Sequence, residues 1–353
     1  MKDTSLYGAT ADGLAALLTE WGEPAYRARQ LHEGLWEQRL PLDEITALPK
    51  ALRARIAEEL PLALEPIVEQ TGDDGMTSKW LWRAGTAQVE TVLMRYKDRA
   101  TVCVSSQAGC AMGCTFCATG QAGFERHLDA AEIVEQVIRA QHASPQRVGN
   151  VVFMGMGEPL ANVDPVLEAL TRLHAELGIS ARQLTVSTVG VVPGIRRLAA
   201  FPLPVTLAVS LHAPDDALRA RLVPLNNRYP IVDVLDAARD YAEAKGRRVT
   251  FEYACIADVN DHPHRADALA DRLTGFRGGA HVNLIPLNPT TEFGGRAPDP
   301  ARLKQFASRL TARGVHASIR RNRGVDIDAA CGQLRSRNPA EPDTASASAT
   351  MKP

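Results

Sequence analysis

The chain has 353 residues, 45% of them hydrophobic, and a formal net charge of −1 at pH 7. That length suits one large domain plus a smaller one with a core that needs no disulfide staples. Near-neutrality argues against indiscriminate binding to polyanions while leaving room for a local basic face. Six cysteines are too few and too unevenly spaced for a disulfide scaffold, so metal or redox chemistry in a reducing compartment is expected.

The opening MKDTSLYGATADG lacks the basic and then apolar layout of a signal peptide, and the chain has no run of about 18 uninterrupted apolar residues. A cytoplasmic protein without membrane contact is expected. From about Thr10 to Leu60, apolar residues recur at three and four spacing in ADGLAALLTEW, AYRARQLHEGLWEQ and KALRARIAEEL, and Pro24 suits the first turn of the second helix. This reads as a small helical N-terminal domain over residues 1–64. Over residues 65–102 the texture changes to short runs, SKWLWRA, VETVLMRY and ATVCVSS, behind a turn signal from Gly72 to Gly75, and these read as linking strands.

GCAMGCTFCATG places Cys110, Cys114 and Cys117 in the spacing C-x3-C-x2-C. One compact loop can thus present three thiolates to three irons of a 4Fe-4S cube, leaving the fourth iron without a protein thiolate. An open iron can chelate the amino and carboxylate groups of S-adenosylmethionine (SAM) and pass an electron to its sulfonium. The blander alternatives are a zinc site or unrelated buried cysteines, but zinc loops usually show paired C-x2-C elements and four closed ligands.

Beyond the cysteines, strand candidates VGNVVFMG, LTVSTVG, PVTLAVSLH, RVTFEYACI, AHVNLIPLN and VHASIRR alternate with helical stretches. Alternation of this kind implies parallel strands with crossover helices in an α/β fold, an open or closed barrel with its chemistry at the strand C-terminal ends. This barrel and a C-terminal cysteine loop are expected over residues 103–336. The tail over residues 337–353 lacks apolar periodicity and is expected to be disordered.

From about Glu90 to Leu334 the chain resembles the RlmN/Cfr family of radical SAM RNA adenosine methyltransferases. The resemblance rests on SSQAGCAMGCTFCATGQAGF, VFMGMGEPL, LTVSTVG, AVSLHAP, LIPLNP and DIDAACGQL, in that order, and is more specific to the RlmN branch. It implies a partial (β/α)6 radical SAM barrel. It also implies a SAM pocket of Gly157, Glu158, Ser187, Ser210, Leu211, His212 and Asn288, positions that fall at strand C-terminal ends. Read singly, Gly157 could serve only a turn, His212 could be a satisfied core histidine, and Asn288 before Pro289 could start a turn.

The same resemblance implies that Cys331 accepts a methyl group from one SAM, and that the 5′-deoxyadenosyl radical from a second SAM takes a hydrogen from that methyl. Covalent tethering suits C2 of adenine, an electron-poor carbon that ordinary polar transfer from a sulfonium cannot reach. Cys103 would resolve the adduct through a transient disulfide with Cys331, and Glu90 matches the family's proton acceptor. Bottom-up, a carboxylate in an alternating strand is as a rule its solvated face, and Cys103 is an equal candidate for the base. Cys255 has no family role and is expected in the core.

The implied substrates are 23S rRNA in the peptidyl-transferase region and tRNA beside the anticodon, each methylated at adenosine C2. The implied partner is an electron donor such as a flavodoxin or ferredoxin system, and a monomer is expected. Arg302, Lys304, Arg309, Arg313, Arg320, Arg321, Arg323, Arg335 and Arg337 face only Asp326 and Asp328 in their span, which suits tracking of an RNA backbone. The alternative is the solvated face of a helix. Two rival functions stand beside this reading: C8 methylation of the rRNA adenosine, as in the Cfr branch, and a non-catalytic iron-sulfur protein that binds RNA or transfers electrons. An electron carrier normally closes its cube with a fourth thiolate.

Overall fold

The computed structural model describes residues 5–290 and 292–334, so the expected disorder of 337–353, and Arg335 and Arg337, lie outside the described residues. Three helices open the chain: α1 (Ala11–Glu20), α2 (Tyr26–His32) and α3 (Lys50–Glu59). Thr10 caps α1 by accepting the Gly13 N–H at 3.1 Å, which satisfies one orphan donor of the first turn. Leu14, Leu18, Leu31, Trp36 and Ile56 enter the same apolar core as the barrel strands. Polar contacts also stitch the helical region to the barrel, such as Arg39 donating to Leu177 O at 2.9 Å.

Next come β1 (Leu64–Gly72), β2 (Thr77–Ala84), β3 (Ala87–Arg95), β4 (Ala100–Cys103) and a short β5 (Gln107–Gly109). The cluster loop leads into α4 (Ala118–Ala122), β6 (Phe124–His127), α5 (Ala130–His142), β7 (Val148–Phe153), α6 (Val163–Ala175), β8 (Leu184–Thr188) and α7 (Val192–Ala200). The last part holds β9 (Thr206–Ser210), α8 (Asp216–Leu222), α9 (Ile231–Lys245), β10 (Val249–Cys255), α10 (Pro263–Leu273), β11 (Ala280–Pro286), α11 (Pro300–Ala312) and β12 (His316–Ile319). One ten-stranded sheet runs β1-β2-β3-β4-β7-β8-β9-β10-β11-β12. It is parallel from β4 to β12, and β1 to β3 extend it antiparallel.

The barrel is therefore open, with β1 and β12 as its edges. The strand candidates all form. β1, which sequence does not single out, is an edge strand bulged between Pro66 and Val68, where a proline is tolerated because no ladder N–H is needed. The pleat sorts residues by face. Leu207, Val209, Phe251, Tyr253, Cys255, Val282 and Leu284 join the core under the helices, the Leu, Val and Phe side chains contributing about 1.5–3 kcal/mol each by burial. The alternate positions point into the barrel. Cys255 is in the core, as expected.

The two open edges are bridged by the loop after β12. Gly324 N–H donates to Asp73 Oδ2 at 2.8 Å and Asp73 N–H to Asp326 Oδ2 at 3.2 Å, while Lys79 Nζ reaches Asp328 O at 3.3 Å. The segment that carries Cys331 is thereby pinned to the β1–β2 turn. Among the described residues, no helix is long and apolar enough to cross a membrane.

Candidate active site

The hairpin of β5 and β6 brackets the three motif cysteines. Cys110 N–H donates to Gly123 O at 2.7 Å. A Cβ on Gly109, whose φ is +73°, would meet that same carbonyl at 2.0 Å, so the loop closes only over glycine. Cys117 starts α4 and its N–H donates to Cys114 O at 3.2 Å, while Gln121 Nε2 donates to Thr115 O at 2.7 Å. Burial pushes the Cys110 thiol up to about 12 and Cys114 well above the usual thiol range, with Cys117 adding to both. Three crowded thiols that resist ionisation on their own fit a site where iron supplies the missing positive charge. Among the described residues, no three His, Cys, Asp or Glu side chains converge on a single-ion site; thiolates that each hold a different iron of a cube need not converge.

Beside this loop, at the C-terminal ends of the parallel strands, lies a cavity of about 150 Å³ that opens to solvent. Cys114, Cys117, Gly157, Glu158, Ser187, Ser210, His212, Asn288 and Cys331 all line it. Two expected residues do not. Cys110 sits on the loop away from the lining, and the Leu211 side chain is fully buried in the core. Leu211 instead fixes the end of β9 through its main chain, donating to Glu252 O at 3.0 Å and accepting from Arg219 Nε at 3.1 Å.

The pocket residues are braced rather than free. Glu158 accepts the Leu160 and Val189 N–H groups at 2.9 and 2.8 Å, tying β7 to β8, and burial raises its carboxyl to about 7. His212 is both a satisfied histidine and a cavity wall: its Nδ1 accepts the Ala254 N–H at 2.9 Å. Burial, helped by Arg219, lowers its imidazole to about 3, so the ring is neutral with its proton on Nε2. Asn288 does more than start a turn, because its Nδ2 donates to Cys331 O at 2.9 Å.

A second cavity is walled by Val92, Tyr96, Cys103, Arg321, Arg323 and Ala329. Three residues, Met154, Arg320 and Cys331, line both cavities. Burial pushes the Cys103 thiol up to about 12, with Cys331 adding to the rise and Arg320 opposing it. Arg320 is held in its charged form chiefly by the nearness of Cys331.

Glu90 is not on a solvated face. It is 1% exposed, and it pairs with the buried Lys79 at 3.1 Å. Val92 stands opposite both Lys79 and Cys103 in the ladder, so Glu90, two positions along β3, shares their face of the sheet. The basic C-terminal stretch divides in two. Arg309 of α11 and Arg313 just after it pair with Asp267 and Asp271 of α10, and Arg302 of α11 with Asp261 at 3.5 Å. Arg320, Arg321 and Arg323 instead line the Cys103 cavity. The acids of α10 lie outside the sequence window that made the run look unbalanced.

Sequence reasoning does not pick out Glu252 or Phe116, yet both line the first cavity. The signal for Glu252 is a lone acid inside the apolar strand TFEYAC, near its C-terminal end.

The chain is similar to known proteins. Residues 104–269 match the Radical SAM superfamily. A protein of Frankia casuarinae named "Probable dual-specificity RNA methyltransferase RlmN" is 54% identical over 91% of this chain and 80% of its own length. Proteins of the same name from Mycolicibacterium smegmatis and Chloroflexus aurantiacus are 53% and 50% identical, over 91% and 96% of this chain and 92% and 94% of theirs. A solved radical SAM methyltransferase from Sphaerobacter thermophilus superposes with a TM-score of 0.88 at 49% identity, covering 95% of this chain and all of that one.

Proposed function

Because the chain belongs to the RlmN family of radical SAM proteins, we propose that it methylates C2 of adenosine in 23S rRNA and in tRNA beside the anticodon, using two SAM per turnover. The family uses a 4Fe-4S cluster and SAM; here Cys110, Cys114 and Cys117 would hold the cluster, with SAM in the adjoining cavity. Bound there, the cluster supplies the electron that cleaves SAM.

The position of Cys331 carries the reading: it lies in the wall shared by the two cavities, one lined by Cys114 and Cys117 and the other by Cys103. A methyl carried on its sulfur stands where a SAM on one side and an adenine on the other can both reach it, which is the proximity a tethered methyl requires. Cys103, which lines the second cavity with Cys331, would form the disulfide that frees the product. Glu90 shares the sheet face of Cys103, and either group serves as acceptor for the C2 proton. Reaching C2 requires an unstacked base, and Arg320, Arg321 and Arg323 give the second cavity the charge to receive RNA. We assign it a cytoplasmic, monomeric role with electrons drawn from a flavodoxin or ferredoxin system.

The test is anaerobic reconstitution with iron and sulfide, then SAM, reductant and protein-free 23S rRNA or tRNA, with mass spectrometry of the digested nucleosides. 2-Methyladenosine is the expected product. 8-Methyladenosine would keep the chemistry and overturn the regiochemistry; intact SAM with neither product would overturn the catalytic reading.

A further inference from the structure

The β2–β3 ladder sets Lys79 opposite Val92 and Leu81 opposite Glu90. Lys79 and Glu90 are therefore diagonal neighbours on one face, within reach of long side chains, and their charged ends lie 3.1 Å apart. Lys79 is 6% exposed and Glu90 1%. A carboxylate taken this far out of water keeps its charge only beside a cation, and removing one partner leaves the other buried and unpaired. The pair also stands next to the second cavity: Val92, adjacent on the same face, and Cys103 opposite it both line that cavity with Cys331.

Lys79 has a second contact. Its Nζ donates to Asp328 O at 3.3 Å, three residues before Cys331, so one ammonium touches both the carboxylate and the segment that carries the thiol. That segment has other anchors. Ala118 N–H donates to Gly332 O at 2.8 Å, Asn288 Nδ2 to Cys331 O at 2.9 Å and Gln333 Nε2 to Pro289 O at 3.1 Å. Without the Lys79 ammonium, Cys331 would still be held, whereas Glu90 would lose the cation it pairs with.

We infer that Lys79 is a positioning residue: it holds Glu90 as a carboxylate in register with the Cys331 segment, ready to take the proton that leaves C2 of the target adenine. The proton ends on Glu90, which becomes a neutral carboxyl, and the Lys79 ammonium keeps its own protons throughout. The inference rests on the proposed C2 methylation, and within that reaction it gives the proton to Glu90 rather than to Cys103.

The test follows two steps separately in the cluster-reconstituted protein: methylation of Cys331 by SAM, read from the mass of its peptide, and release of RNA containing 2-methyladenosine. Lys79→Met is expected to methylate Cys331 at the wild-type rate and to release product slower by about 100-fold or more, the scale of a positioned general base. Joining Lys79→Met to Glu90→Gln removes both charges, which a buried pair often tolerates. If Lys79 acts through Glu90, the double variant releases product no more slowly than Glu90→Gln alone. A further loss in the double variant overturns the inference, as does wild-type release by Glu90→Gln, or a Lys79→Met that slows both steps equally. Should Lys79→Met fail to fold, Glu90→Gln and the double variant still decide the matter. A wild type that yields no 2-methyladenosine overturns the proposed function itself.

Discussion

Cys103 and Cys331, one ending a strand and the other in the C-terminal loop, line a single cavity, close enough that Cys331 makes Cys103 harder to ionise. Arg320 stands beside both and raises its own affinity for its proton through Cys331 first. The two thiols therefore have distinct expected phenotypes. Cys331→Ala is expected to retain the cluster absorbance and yield no methylated nucleoside by mass spectrometry. Cys103→Ala is expected to stall with RNA joined to Cys331, visible as a protein–RNA adduct on a denaturing gel; free methylated RNA from either variant would remove that thiol from the pathway.

Gly157 holds a φ of +98°, and a Cβ there would lie 2.5 Å from Gln107 Cβ. Gln107 Oε1 in turn accepts the Glu158 N–H at 2.8 Å. Gly157→Ala is expected to cost about 1–3 kcal/mol through backbone strain and displacement of Gln107. SAM affinity should fall at least about tenfold, since about 1.4 kcal/mol of lost interaction suffices. Calorimetry with SAM and a urea melt would check both.

Arg219 is fully buried. It donates to Leu211 O at 3.1 Å, Ser210 O at 3.3 Å and Asn226 Oδ1 at 3.0 Å, and also to Val189 O. Burial lowers its guanidinium to about 10, yet it ties the ends of β8 and β9 behind the cluster cavity. Arg219→Met leaves several buried acceptors unpaired, each costing about 1–3 kcal/mol. A loss of about 3 kcal/mol or more in chemical denaturation is expected; a loss below about 1 kcal/mol would show that the carbonyls find other partners.

Glu135 is buried on α5 and accepts the Ala63 and Leu64 N–H groups at 2.8 and 3.2 Å. Burial raises its carboxyl from 4.5 to about 7 despite those bonds. Between these pH values the folded protein holds a proton that the unfolded chain has released. The contribution is thus fully present below about pH 4.5 and lost as pH rises through about 7, on the order of 3 kcal/mol for this group. Urea midpoints measured across that interval should fall with pH, and Glu135→Gln should flatten the slope.

Arg323 lies 5.1 Å from the Tyr96 ring at the Cys103 cavity, and no acid of α10 pairs with it as with Arg309 or Arg313. Arg323→Ala is expected to weaken RNA binding and lower the slope of log affinity against log salt by about 1, whereas Arg309→Ala should leave that slope unchanged. Fluorescence anisotropy over a salt series separates them.

Much of the fold and site was legible in the sequence. The cysteine spacing marks the cluster loop, and the strand–helix alternation gives the parallel barrel, because side-chain periodicity and ligand spacing are local properties of the chain. The short strands β5 and β6 were not legible, because three- and four-residue strands carry too little periodicity. The burial of Glu90 was hidden for another reason: its partner Lys79 lies on the neighbouring strand, and only the ladder brings them together.

By itself the sequence determined which residues could do chemistry: three cysteines on one loop, and a cysteine near each end of the catalytic region. Tertiary structure alone decided that Cys331 would stand in the wall between two cavities, that Asn288 would hold its carbonyl, and that α10 would neutralise the α11 arginines while Arg320, Arg321 and Arg323 kept their charge for the second cavity. It also set Glu252 in register between Ser210 and Asn283. Motif spacing is fixed by covalent connectivity, but distances between remote segments depend on how a twisted parallel sheet stacks its strands and where the closing loop is pinned.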